Sequence, residues 1–382
     1  MKKITIYILL LAYITSGCVS EFNAKLPDIE SDILVVEGSI IGNSTVEFYL
    51  SKTFPMNDEV DVKDNYIEAD LVIISDDGYR SPSARYEGFG VHTISIGELK
   101  DNVSYGIEIE YEGKIFRSKL AYPIQTPEIE KVDWIQPEQK GDISIRVSTS
   151  GTNNEQKEYF YWTYEEDWEV TSYYEATYFY NPVDSTYHKD GSGPYYYCWK
   201  KAVNQNILIG STNYLQDNKL VNHPISILPA SNERFTELYR VNIKQRALSE
   251  GAYLHYSDKL KYNAEMGGLF TPQPSEFNTN IECITNPSEK VIGYIDVVKN
   301  VSVRELYISR KEITVPSISS EGCELTTLIE AKMPDYTMYM IGYVPVEFSP
   351  FGGTTWAKRK CADCRSLQAT KNKPPFWPNE HK

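Results

Sequence analysis

Cys361 and Cys364 stand three residues apart near the end of the chain. That spacing serves metal ligation, thiol–disulfide exchange or covalent stapling. A tetrahedral metal site built on such pairs wants two of them. Here there is one, and His92, His188, His223, His255 and His381 lie far from it in sequence. A redox C-x-x-C opens a helix after a strand, whereas this one is followed by Lys371, Lys373, Pro374, Pro375 and Pro378, a tail unsuited to a long helix. The expected chemistry is a disulfide, with Cys198, Cys283, Cys323, Cys361 and Cys364 as candidates. A link inside C-x-x-C would close too small a loop to restrain the unfolded chain. A long-range bridge pinning the tail to a sheet is therefore predicted, with at least one thiol left over. No metal and no cofactor are expected.

Other residue types could do chemistry but lack convergence. Between Tyr159 and Trp199 lie 11 tyrosines, with Phe160, Trp162, Trp168 and Phe179 among them. Flat aromatic faces stack on sugar rings or extended peptides, and a phenol adds a hydrogen bond at low entropic cost. The stretch GSGPYYYCW would present Tyr195, Tyr196, Tyr197 and Trp199 at a loop edge, so these four are the candidate binding surface. The competing reading is a strand buried on two sides, since Tyr159 to Tyr164 put aromatics on both faces. Asp58, Glu59, Asp61 and Asp64 have the density of a calcium loop but lack the glycine and distal glutamate of an EF-hand, and read as a solvated loop. Glu165, Glu166 and Asp167 could flank a glycosidic bond, yet consecutive residues on a strand alternate faces and do not converge. His92 and His255 stand alone and read as surface or hydrogen-bonded histidines. There is no G-x-S-x-G elbow, H-E-x-x-H, Walker loop or dinucleotide fingerprint. No catalytic residues are assigned, and the chain is expected not to be an enzyme.

The first residues set the compartment in which those thiols work. Lys2 and Lys3 precede an apolar stretch from Ile4 to Ile14, and Thr15, Ser16 and Gly17 come just before Cys18. This reads as a secretory signal over residues 1–17, too short for a membrane span, with Cys18 as a lipidation site. Multiple acyl chains there would anchor the protein without a transmembrane helix. From Cys18 onward 36 basic residues face 53 acidic ones, a balance that argues against nucleic acid and against docking on anionic lipid.

The elements that must position these residues read mainly as strands. Residues 18–31 form a tether. From 32 to 123, ILVVEGSI, TVEFYLS, DLVIISDDGYR and YGIEIEYEGKIFRS give short strands with turns at Asp77-Gly78 and Glu112-Gly113. They predict an immunoglobulin-like β-sandwich. AYPIQTPEIEKVDW reads as a linker. Residues 124–382 then form a larger β-rich domain carrying one main helix near 249–266, with Ser249 as N-cap and Ala252, Tyr256, Leu260 and Ala264 along one face. The fold class is mainly β.

Several stretches together resemble one family. They are Gln245-Arg246-Ala247-Leu248-Ser249 with Ala252-Tyr253, then Gly268-Leu269-Phe270-Thr271-Pro272-Gln273-Pro274-Ser275, Asn280-Ile281-Glu282-Cys283 and Val291-Ile292-Gly293-Tyr294. Cys361-Ala362-Asp363-Cys364-Arg365, Lys373-Pro374-Pro375-Phe376-Trp377 and the early ILVVEGSI strand complete the set. The chain is similar to the Bacteroidota lipoproteins described as domain of unknown function 4249. The resemblance implies a lipid-anchored outer-membrane protein, on the periplasmic face or at the cell surface, that works beside a TonB-dependent outer-membrane receptor as an accessory or a holder of glycan or peptide cargo. The alternatives are a structural or assembly factor of the outer membrane or of a secretion system and, further off, a glycan or peptide hydrolase.

Overall fold

The computed structural model of the protein describes residues 32–53, 62–151, 157–189, 196–213, 215, 217–265, 278–316, 322–349 and 353–378. The signal segment, Cys18, the tether, Tyr195, the Gly268–Ser275 stretch, His381 and the acids Asp58, Glu59 and Asp61 lie outside them.

Strands β1 (Leu34–Glu37), β2 (Ser39–Ile41), β3 (Ser44–Lys52), β4 (Asp70–Ser75), β5 (Arg85–Gly88), β6 (Val91–Ile96), β7 (Tyr105–Tyr111) and β8 (Lys114–Ser118) open the chain. They alternate as half-buried strands must: Val46, Phe48 and Leu50 of β3 point inward while Thr45, Glu47 and Tyr49 point out. After β9 (Lys131–Ile135) and β10 (Ile143–Ser150) comes the long β11 (Tyr159–Thr171), then β12 (Tyr178–Asn181), β13 (Thr186–Lys189), β14 (Tyr197–Val203), β15 (Leu208–Ser211), β16 (Lys219–Leu228) and β17 (Leu238–Leu248). Helix α1 (Glu250–Glu265) follows, capped by Ser249, whose Oγ accepts the Ala252 N–H at 3.2 Å. Strands β18 (Ile281–Cys283), β19 (Val291–Gly293), β20 (Asp296–Val298) and β21 (Ser302–Ser309) come next. A tail of β22 (Thr326–Thr327), helices α2 (Leu328–Ala331) and α3 (Asp335–Met340), β23 (Tyr343–Ser349), β24 (Gly353–Lys358) and α4 (Arg359–Ala362) completes the order.

These elements make two β-sandwiches and a small third unit. In the first sandwich the sheet β19-β1-β3-β6-β5 faces the sheet β18-β8-β7-β4 across a core that includes Val36, Phe48, Leu50, Leu71, Ile107 and Phe116. Each such side chain stabilises the fold by about 1.5–3 kcal/mol through burial. The immunoglobulin-like architecture expected for residues 32–123 is present, but its boundary is corrected: β18, β19 and β20 return from far along the chain to complete it. The β19 and β20 pairings are parallel, and parallel neighbours need a long crossover. Local patterning could not reveal that partner. The second sandwich packs β16-β10-β9 against β14-β11-β17-β21, with Ile143, Ile145, Phe160, Trp162, Val241 and Ile243 between the sheets. The stretch read as a linker is also corrected in part, because pairing resumes after Pro127 and Lys131–Ile135 joins β10 as an edge strand.

Two glycines kink the parallel pairs where they cross between the units. Gly38 separates β1 from β2 at φ +153, and a Cβ there would lie 2.3 Å from the Phe48 ring. Gly293 ends β19 at φ +151, and its Cβ would meet the Val36 carbonyl at 2.3 Å. Only glycine fits such close approach. The kinks turn Ser39 and Tyr294 out of the first sandwich toward the second.

Candidate functional site: the groove between the two sandwiches

The residues singled out from the sequence sort into structural and groove-facing groups. The C-x-x-C does not close on itself. Cys364 pairs with Cys198 across a sequence separation of 166, and Cys361 with Cys323 across 38. Cys283 is the leftover thiol, buried in the first sandwich with Sγ 3.4 Å from Thr285 Oγ1. The two bridges fasten the tail to β14 and fold it back on itself.

That staple overturns one candidate. Trp199 follows Cys198 on β14 and points to the opposite face, while the tail pairs with its backbone along the strand edge. Its backbone exchanges hydrogen bonds with Thr370 at 2.7 and 2.9 Å, and the side chain is 8% exposed. Trp199 is therefore a buried residue whose strand edge is taken up by the chain's own tail, and is no binding surface. Tyr196 and Tyr197 are half-buried, with ring centroids 4.7 Å apart. Of the other tyrosines in that segment, Tyr180 packs on Met338 and Trp356 in the core of the third unit, with Tyr187 against it.

The three consecutive acids do alternate. Glu166 points into the second sandwich, where Arg234 contacts both its oxygens at 3.0 and 2.8 Å and the Tyr239 hydroxyl donates to it at 2.7 Å. Glu165 and Asp167 face the other way, onto Lys244 at 2.6 Å and Arg240 at 2.8 Å. Each carboxylate is engaged by a cation or phenol from β17 or its approach. His92 is buried: the Ala69 N–H donates to Nε2 at 3.1 Å and Nδ1–H donates to the Gly90 carbonyl at 3.1 Å. Burial pushes its pKa down, which keeps it neutral. Among the described residues no group of His, Cys, Asp and Glu could hold a metal ion.

What the structure does assemble is a groove at the junction of the two sandwiches. One lobe, about 670 Å³, lies between β1, β3 and α1. Another, about 620 Å³, lies between β2, β3 and the outer face of β11 and β17. The lobes share Gly38, Glu47, Tyr49 and Tyr161. Alternation along β1 and β3 sends Glu37, Glu47 and Tyr49 outward into it, and Glu37 sits directly opposite Tyr49 in register. The Tyr49 hydroxyl donates to Glu47 at 2.5 Å, which with partial burial pushes its pKa up to about 12.

The floor comes from Lys244, Gln245 and Arg246 of β17. Gln245 and Ala247 face one way and Arg246 and Leu248 the other, as strand geometry requires. Gln245 is fully buried: its carbonyl accepts from Trp162 Nε1 at 2.8 Å, and its amide donates to the Pro127 carbonyl at 2.9 Å and to Thr149 Oγ1 at 3.2 Å. Arg246 stands opposite Tyr161 in register, with Cζ 4.4 Å from the ring centroid of Tyr161 and 5.7 Å from that of Tyr256 on α1. Its Nη1 donates to Ser39 Oγ at 2.7 Å and Nη2 to the Tyr256 hydroxyl at 3.0 Å. Burial opposes the charge on this guanidinium, but Tyr256, Tyr161 and the Asp296 carboxylate more than offset that, so it stays charged. Helix α1 covers part of the floor through Ala252, Tyr253 and Tyr256, whereas Leu260, expected on the same face, is 37% exposed.

The groove was not singled out from sequence. Its signal is slight: an arginine inside a strand-like run, with an aromatic rather than an acid across from it.

The molecule is thus a mainly β protein of two sandwiches, with a disulfide-fastened tail and an aromatic groove at the junction. The chain belongs to the family described as Domain of unknown function (DUF4249), whose model matches residues 19–304. The Cys361–Trp377 tail lies beyond the matched span. No curated protein matches the chain. Among solved structures, a two fibronectin type-III domain segment from chicken tenascin is similar at 11% identity, over 56% of this chain and 91% of that one, with a TM-score of 0.16.

Proposed function

We propose that the protein is a non-enzymatic lipoprotein of the outer membrane, anchored through Cys18, that serves a TonB-dependent transporter as an accessory holding cargo in the junction groove. The observation that carries the binding part is the groove itself: two adjoining lobes of ligand-sized volume, walled by Tyr49, Tyr161, Tyr256 and Tyr294. Apolar concave walls with a few placed polar groups are the usual form of small-molecule sites. The signal-like first residues support the anchor, and the resemblance to Bacteroidota lipoproteins supports the transporter as partner.

The test is a pull-down of the tagged, lipidated protein from detergent-solubilised membranes of its native host, read by mass spectrometry. Recovery of a TonB-dependent β-barrel in about 1:1 ratio is the expected result. Recovery alone, or with outer-membrane assembly or secretion machinery, would overturn it in favour of a structural role.

A further inference from the structure

The lysines on the groove's walls are paired with carboxylates within the protein, and the rim carboxylate of Glu47 is met by a phenol. Lys259 meets Glu37, Lys244 meets Glu165, and Glu47 accepts from Tyr49. The floor differs. Arg246 donates to two neutral oxygens, those of Ser39 and Tyr256, and among the described residues no carboxylate lies within ion-pair distance of it. Two other arginines behave otherwise: Arg240, on the same strand, pairs with Asp167 and Glu305, and Arg234, in the turn before it, pairs with Glu166. Asp296, whose charge Arg246 feels, directs its oxygens to the backbone N–H groups of Ser249 and Val297. A guanidinium offers five N–H donors in a planar fork suited to a carboxylate. Arg246 therefore has donor capacity to spare and a charge answered only at a distance.

The walls around it suit a hydroxyl-rich ring. Tyr161 belongs to both lobes and holds the Arg246 guanidinium over its ring, and Tyr49 stands at the shared rim, 45% exposed. Between the aliphatic side chains, Ser44, Thr45 and Thr163 in one lobe and Asn206 in the other supply hydroxyl and amide groups. Tyrosine faces with polar groups between them match sugar rings.

We infer that the groove binds an acidic saccharide of the uronic-acid class, whose carboxylate pairs with Arg246 while a ring face lies on Tyr49 at the rim. This rests on the groove being the cargo site.

The experiment is isothermal titration of the full-length protein in detergent with trigalacturonic acid, its methyl ester and neutral galactotriose. The ester keeps the shape and removes the charge. The acid should bind about tenfold to a hundredfold tighter than the ester or the neutral sugar, the worth of one charge-assisted pair, and the advantage should shrink with added salt. Arg246→Gln should abolish the advantage of the acid over the ester, whatever it does to the binding they share. Because that substitution also touches Ser39 and Tyr256, its melting curve is recorded alongside. Tyr49→Ala, at the exposed rim, should weaken all three ligands together. The comparison of acid and ester on the wild-type protein needs no variant.

Equal binding of the three trisaccharides would overturn the acidic preference and leave the groove as a cargo site. Binding of none, or tighter binding of a glutamate-rich peptide than of the trisaccharides, would overturn the saccharide assignment. Co-purification with a transporter is read independently of all three results.

Discussion

Replacing Cys323 and Cys361 together by alanine isolates the shorter of the two bridges. It closes a loop of sequence separation 38 that contains α2, α3 and the β22-β24-β23 sheet. In the chain-entropy relation a loop of this size is worth about 4 kcal/mol, and measured bridges commonly deliver about 2–4 kcal/mol. For a unit of 150–250 residues, each kcal/mol moves the melting temperature by about 2–4 °C. The double variant should therefore melt about 5–15 °C below the parent. The assay is differential scanning calorimetry at fixed scan rate, with and without reductant. Removing both cysteines avoids a lone thiol that could reshuffle with Cys198 or Cys364. Reductant should lower the parent further than the substitution does, because it also opens the Cys198–Cys364 bridge across 166 residues. A parent whose melt is insensitive to reductant, or a double variant within about 2 °C of it, would refute the reasoning: the tail would then be held by packing of Tyr180, Met338 and Trp356 and not by the bridge.

Four further outcomes are expected. Glu166→Ala leaves Arg234 and the Tyr239 hydroxyl without their shared acceptor inside the second sandwich, and should cost about 3 kcal/mol in urea unfolding; a loss under about 1 kcal/mol would contradict the network. Burial holds the pKa values of His92, His223 and His255 below the ordinary 6.5, so the unfolded chain binds more protons than the folded one as pH falls through 6.5. Stability should be full above that pH and decline below it, by up to about 1.4 kcal/mol per histidine for each unit of depression. His92→Gln should flatten the fall in urea midpoint between pH 7.5 and 5.5, and a midpoint that never moved would count against it. Gly38→Ala drives a Cβ into the Phe48 ring and should destabilise by about 1–3 kcal/mol, seen as a lower melting temperature; an unshifted melt would show that the kink tolerates a side chain. Cys283 should resist Ellman's reagent in the native protein and react once in urea without reductant, giving one thiol per acylated chain, whereas two would mean that Cys18 carries no lipid.

Period-two alternation in TVEFYLS, YGIEIEY and LYRVNIK identifies strands and their buried faces from the chain alone, because a strand's side chains obey only local geometry. The same local physics exposes the Glu112-Gly113 turn, the cap at Ser249 and the inability of Glu165, Glu166 and Asp167 to converge. Thiol count and spacing likewise lead to a stapled tail. The tertiary structure decided which cysteines meet, because loop closure depends on where β14 and the tail come to rest and not on spacing. It also decided that Trp199 is buried and that residues 281–298 complete the first sandwich, since parallel pairing leaves no short-range signature. The groove is the clearest case. Ser39, Glu47, Tyr161, Arg246 and Tyr256 come from five separate elements, and only the packing of two sandwiches and one helix sets an unpaired guanidinium among tyrosine rings.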